Sequence, residues 1–164
     1  VTNHDENSWN GTIKERMGDA SELLTTLVYA MPGMPLIYSG QEYDLNHRLK
    51  FFEKDSIPKT KGNTWNLLTK LGDLKNNHLA FHGGKIAASY ERLTTENENV
   101  VAFKRSKEVA EVYFIGNLSN QVQSFILDVE GTYEDLLLNK SLILNQKKIQ
   151  LAPWQYYLLN KVSP

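Results

Sequence analysis

The chain has 164 residues, 41% of them hydrophobic, with 18 Lys and Arg against 19 Asp and Glu and a net charge of −1. That is enough apolar content for a buried core, on a balanced surface with no electrostatic footprint for nucleic acid or an anionic membrane. The absence of cysteine excludes disulfides and Cys-ligated metals, and the best apolar run, residues 23–38, is cut by Pro32, Gly33 and Pro35 before it reaches membrane-spanning length.

Val1-Thr2-Asn3-His4-Asp5 opens on an apolar start followed at once by chemistry-capable side chains. It reads as the end of a strand with no strand before it, and with no initiator Met the chain is expected to be the back part of a longer polypeptide. Asp19-Ala20-Ser21-Glu22 fits a capping box, and Leu23, Leu24, Leu27, Val28 and Met31 then recur on one helical face. Pro32-Gly33 ends that helix. Residues 34–38 are a short apolar run of the kind buried on both faces of a parallel sheet, so the order predicts a βα repeat. Asn63-Thr64 caps a second predicted helix, with Trp65, Leu67, Leu68, Leu71 and Leu74 on one broad face and Gly72 weakening its far end.

After His82-Gly83-Gly84 the texture changes to short alternating segments at 85–90, 100–105, 112–117, 124–129, 133–138, 141–144, 148–151 and 154–161. Most are separated by Gly, Asn or Pro, which predicts an antiparallel sandwich and a domain boundary near Gly83. In the last segment Trp154, Tyr156 and Leu158 alternate with Gln155, Tyr157 and Leu159. It is read as a packing strand, with an exposed sugar-binding platform as the lesser alternative.

Asn3-His4-Asp5, the helix that follows, and then Gly33-Met34-Pro35-Leu36-Ile37-Tyr38-Ser39-Gly40-Gln41-Glu42 resemble ordered sequence blocks of the α-amylase family of glycoside hydrolases. Arg48-Leu49-Lys50-Phe51-Phe52-Glu53-Lys54-Asp55 is similar to the loop after the eighth barrel strand in many members. The resemblance covers the first eighty or so residues by motif and the rest by domain order. It implies an α+β chain: the last strand-helix portion of a (β/α)8 barrel over 1–82, then an antiparallel β-sandwich C domain over 83–164.

The resemblance also implies a parent enzyme that hydrolyses α-1,4-glucosidic bonds of starch or maltooligosaccharides with retention, using a nucleophile and an acid/base about 5 Å apart. Asp5 resembles neither of these. It is similar to the family's third acid, which hydrogen-bonds hydroxyls of the sugar being cleaved and stabilises the distorted transition state over the relaxed substrate. His4 resembles the residue that donates a hydrogen bond to the same sugar, with Asn3 beside it as a further substrate-binding residue. The two missing acids belong to earlier strands, so the stretch alone is expected to be inactive.

In such barrels the working residues stand at the C-terminal ends of strands, which puts Asp5 and Gly40-Gln41-Glu42 on one rim. Gln41 and Glu42 are rim candidates, read first as hydrogen-bonded support for the barrel mouth. Phe51 and Phe52 are read as packing beneath the loop. Trp9, four residues past Asp5, is a rim candidate for stacking on a glucose ring, with packing the favoured role. His47, His78 and His82 make no ligand cluster in sequence, which disfavours a His-Asp metallohydrolase. Calcium is expected in the parent rather than here, where no Asp/Asn-rich loop makes a convincing site.

Two strands and two helices cannot close a barrel. Residues 1–82 are therefore expected to self-associate, rearrange or stay poorly ordered beside a sandwich that folds alone. The competing reading is a non-catalytic polysaccharide-binding or interaction module. Glu6 and Asn7 translate into no substrate preference, so amylase, glucosidase, transglycosylase and branching activities all remain open.

Overall fold

Eight antiparallel strands fill the second half of the chain in the computed structural model, which describes residues 1–145 and 147–162. They are β1 (Glu91–Arg92), β2 (Val100–Lys107), β3 (Ala110–Asn117), β4 (Gln123–Ile126), β5 (Gly131–Asp135), β6 (Lys140–Leu144), β7 (Lys148–Leu151) and β8 (Tyr156–Lys161). Six form one sheet in the order β1-β2-β3-β8-β5-β6, and β4 pairs with β7 in a second. Before them come three α-helices, α1 (Ile13–Met17), α2 (Ser21–Ala30) and α3 (Asn63–Asn77). The chain is thus α+β, with an antiparallel sandwich at its C-terminal end.

The larger sheet is covered on both faces because side chains alternate along each strand. On β8, Leu158 belongs to a core shared with Phe103, Phe114, Leu23, Leu68, Leu71 and Phe81. Its neighbour Leu159 points the other way, into a core with Tyr113, Ile115, Phe125, Tyr133 and Leu151. The β8 strand is therefore buried on both sides, between the helices and the smaller sheet.

The helices thus find their cover on the sheet. Tyr156, on β8, accepts a hydrogen bond from Thr26 of α2 at 3.2 Å and donates one to the Glu22 carboxylate at 2.7 Å. The apolar faces of α2 and α3 pack on the larger sheet, so this part of the chain shares a core with the sandwich.

Two expected barrel strands do not form. Residues 34–38 form no strand, with Met34 94% and Leu36 61% exposed. A strand exists by hydrogen bonding to a neighbour, and among the described residues none lies beside this run. At the start of the chain, His4 and Asp5 lie in a helical turn instead of following a strand.

The predicted cap of α2 is also displaced. Asp19 lies in a 3₁₀ turn, Gly18–Ala20, that runs straight into α2, so the chain arrives already helical and Ala20 at the boundary makes no side-chain cap. The capping box forms earlier, at α1, where Thr12 accepts from the Glu15 backbone and Glu15 reaches back to the Thr12 amide at 2.7 Å. For α3, Asn63 is the first helical residue, and the cap comes from Asp44, twenty residues upstream, whose carboxylate accepts from the amide and the hydroxyl of Thr64. The first predicted strand, at 85–90, is replaced by a 3₁₀ turn (Gly84–Ile86) and extended chain leading to β1.

Candidate active site

Asn3 caps the opening helical turn: its Oδ1 accepts from the Glu6 amide at 2.9 Å, and its carbonyl accepts from the Asn7 amide at 2.9 Å. That turn widens into a π-helical one, Glu6–Asn10, closed by a bond from the Gly11 amide to the Glu6 carbonyl. Gly11 sits at φ 126°, a left-handed value that suits only glycine, and a Cβ there would meet the Glu15 carboxylate at 3.0 Å. The result turns His4 and Asp5 outward. Their side chains are 65% and 64% exposed, with Nε2 of His4 3.4 Å from Oδ2 of Asp5.

The loop after Glu42 is tied to this turn by Asn7, which is 5% exposed and was given no role from sequence. Its Nδ2 donates to the His47 carbonyl at 3.2 Å while its Oδ1 accepts from the Leu49 amide at 2.8 Å, the pairing pattern of a strand neighbour made by one side chain. Ser8 adds a bond to the Leu49 carbonyl at 2.7 Å. Thr12 donates to Asn46 at 2.7 Å, and Arg48 pairs with Glu15 through two bonds of 2.9 and 3.2 Å. Beyond this seam Asp55 accepts from the amides of Lys50 and Ser56 and from His47 Nε2. The Lys50 amide, then His47 and the Ser56 amide, hold its carboxyl down at about 2.

That seam brings together side chains that sequence reading had treated separately. The rings of His4 and Phe51 are 5.9 Å apart, Trp9 and Phe51 5.4 Å, and Phe51 and Phe52 4.8 Å in an edge-on contact. Phe51 and Phe52 do not pack beneath the loop as expected: they are 41% and 84% exposed, alongside Trp9 at 57%. The loop is anchored through its backbone by Asn7 and Ser8, which leaves its phenyl rings outside.

Gln41 and Glu42 turn inward to their own loop. Gln41 is buried and accepts from the Tyr38 amide at 3.3 Å, and Glu42 accepts from the Gly40 amide at 3.0 Å. Gly40 stands at φ 90°, and a Cβ on it would lie 2.5 Å from Leu45 Cδ2. A cleft of ≈ 430 Å³ opens beside Gln41, lined by Asp19, Glu22, Asp44, Leu45 and Asn63 among others, and neither His4 nor Asp5 borders it.

The other histidines serve structure. His78 Nδ1 accepts from the Ala80 amide, which leaves Nε2 as the donor to Asn160, and His82 Nδ1 lies 3.1 Å from Lys107 Nζ. Among the described residues no three His, Asp or Glu side chains gather as metal ligands. Among the same residues no helix is long and apolar enough to cross a membrane.

No family model and no curated protein matches the sequence. Solved structures do. A noncanonic maltogenic α-amylase from Thermotoga neapolitana superposes with a TM-score of 0.75 at 17% identity, over 88% of this chain and 37% of that one. An α-amylase from Lactobacillus plantarum gives a TM-score of 0.70 at 21% identity, over 97% of this chain and 36% of its own.

The chain has the fold of rather more than a third of each of these α-amylases. A trehalose-6-phosphate hydrolase from Bacillus licheniformis also superposes, with a TM-score of 0.68 at 14% identity over 98% of the chain and 42% of the hydrolase. The chain therefore spans well under half the length of these matched structures. At such identities the likeness is one of fold.

Proposed function

We propose that this chain is the portion of an α-amylase-family glycosidase that supplies the transition-state-stabilising acid, Asp5, for hydrolysis of α-1,4-linked glucans with retention. His4 donates to the same sugar, and Asn3 acts by capping the turn that presents both. Residues 1–82 are then the end of the catalytic barrel and 83–164 the C domain. The nucleophile and the acid/base, which retention requires, come from barrel strands outside this chain.

One observation carries the reading: in a chain with the α-amylase fold, the His-Asp pair that matches the family motif is turned to solvent by a capped, glycine-closed turn. A carboxylate held this way can accept hydrogen bonds from sugar hydroxyls that strengthen as the ring distorts, which raises turnover without tightening ground-state binding. The unpaired, exposed run at 34–38 is consistent with a strand that pairs within the complete barrel.

The test is hydrolysis of maltoheptaose by the full-length protein. Asp5→Asn is expected to lower kcat by about a thousandfold or more while KM changes only a few-fold, the pattern of an interaction made in the transition state. A full-length protein without glycosidase activity, or an equal loss in binding and turnover, overturns the proposal.

A further inference from the structure

We infer that Trp9, Phe51 and Phe52 together form a stacking platform for a second glucose unit of the chain held at Asp5, a role the sequence offered for Trp9 alone and not for the two phenyl rings. The inference rests on the glucan reading for the identity of the sugar, and on the geometry for the place. Three large aromatic side chains lie in mutual contact, with ring centroids at 5.4 Å (Trp9 to Phe51), 4.8 Å (Phe51 to Phe52) and 6.3 Å (Trp9 to Phe52), yet all remain well exposed. Clustered aromatic surface left in water marks a binding site more often than scattered apolar residues do.

The cluster is also held in place. Trp9 belongs to the π-helical turn, Phe51 and Phe52 to the loop, and the buried Asn7 amide clamps the two backbones together with bonds of 3.2 and 2.8 Å. A preorganised surface loses little freedom on binding. Several charges beside the rings are already paired, which favours a neutral occupant: Lys50 with Glu53 at 2.8 Å, His47 with Asp55 at 2.9 Å and Arg48 with Glu15 of α1 at 2.9 Å.

A glucopyranose fits on both counts. Its C–H face is apolar and stacks on a ring, while its rim of hydroxyls finds the carboxylate and imidazole of Asp5 and His4 next to Phe51. An apolar peptide would use the rings but leave the outward polar pair without partners. An anion would meet the Asp5 charge.

The experiment is an equilibrium titration of the 164-residue chain with maltoheptaose, followed by tryptophan fluorescence and by calorimetry. Phe52, being 84% exposed, can be changed without disturbing the core. Phe52→Ala is expected to weaken binding about tenfold while Phe52→Trp restores it, and Trp9→Phe is expected to remove most of the fluorescence response although Trp65 and Trp154 remain. Matched thermal melts check the fold of each variant.

Absence of saturable binding up to about 10 mM overturns the inference, as does a Phe52→Ala chain that binds as tightly as the parent sequence. So does a finding that Phe52→Ala dissociates a dimer without altering sugar affinity, since the rings would then be an interface between copies. A full-length enzyme that hydrolyses maltoheptaose while Phe52→Ala binds normally removes the platform and leaves the catalytic reading. Binding through Phe52 in a protein that hydrolyses nothing does the reverse.

Discussion

The Arg105 guanidinium, on β2, donates to the carbonyl of Ala30 at 3.3 Å, at the last residue of α2. The side chain is 1% exposed, and its remaining N–H groups reach the carbonyls of Met31, His82, Ala88 and Ser89. One cation thus satisfies the end of a helix and the connection between α3 and the sheet. Burial pulls its pKa below the usual arginine value, but the ring of carbonyl dipoles accepts its protons. Arg105→Met keeps the volume and abandons those acceptors, and is expected to lower unfolding free energy by about 3 kcal/mol, read from urea denaturation. A loss below about 1 kcal/mol would show that water replaces the guanidinium at little cost.

Asn7 should control order in the loop more than global stability. Replacing it with Ala removes a donor to His47 and an acceptor from Leu49, leaving the Leu49 amide, in a buried residue, without its partner. The expected cost is about 2 kcal/mol, expressed as faster hydrogen exchange at Leu49 while amides of β3 and β8 are unchanged. Asn7→Asp keeps the acceptor and loses the donor, so exchange at Leu49 should fall between the two. Equal acceleration throughout the sheet would mean that Asn7 supports the whole fold.

What could be read from sequence divides along the range of the interactions. Seven of the eight strands lie where alternation and turn residues put them, because a strand such as 112–117 carries its own pattern of inward and outward side chains. The helix at Asn63–Asn77 was equally local. Other features depend on residues far apart in the chain. The run at 34–38 has strand composition but no neighbour, and α3 takes its cap from Asp44. Arg105 looks like an ordinary surface cation in a strand until α2 and the 82–89 connection close over it. At the candidate site, Asn3-His4-Asp5 was legible as a motif, whereas Asn7 and the exposure of Phe51 and Phe52 follow from a clamp across forty residues.

The cap on α3 gives a coupled prediction. Asp44 stands at φ 56° with its carboxylate against Gly62, where a side chain would occupy the place of its Oδ2. Asp44→Ala removes the acceptor for the Thr64 amide and is expected to destabilise by about 1 kcal/mol, as for other helix caps. Gly62→Ala should cost a similar amount, because its methyl group pushes the same carboxylate away. The double variant should then cost little more than either single one. Additive losses in thermal or urea unfolding would separate the two effects and refute the shared mechanism.

Asp55 should carry part of the acid limb of the loop's stability, beside Glu15, which Arg48 and the Thr12 amide hold below its usual value. The Asp55 carboxyl is lowered from 3.8 to about 2, first by the Lys50 amide and then by His47 and the Ser56 amide. A carboxyl depressed by folding contributes stability that is fully present above its unfolded value and is lost as pH falls through the folded one. The contribution of this carboxyl should therefore begin to fall below about pH 5 and be lost progressively as pH drops toward 2. An NMR titration of the Asp55 carboxyl is expected to give a midpoint near 2, and His47→Ala should raise that midpoint without returning it to 3.8, because the Lys50 and Ser56 amides still donate. Trp9 emission, which senses Phe51 across 5.4 Å, should shift over the same acid range in the wild-type sequence. In Asp55→Asn, which cannot titrate there, the shift should shrink to what Glu15 contributes, and an acid transition of unchanged size would place the pH-sensitive group elsewhere.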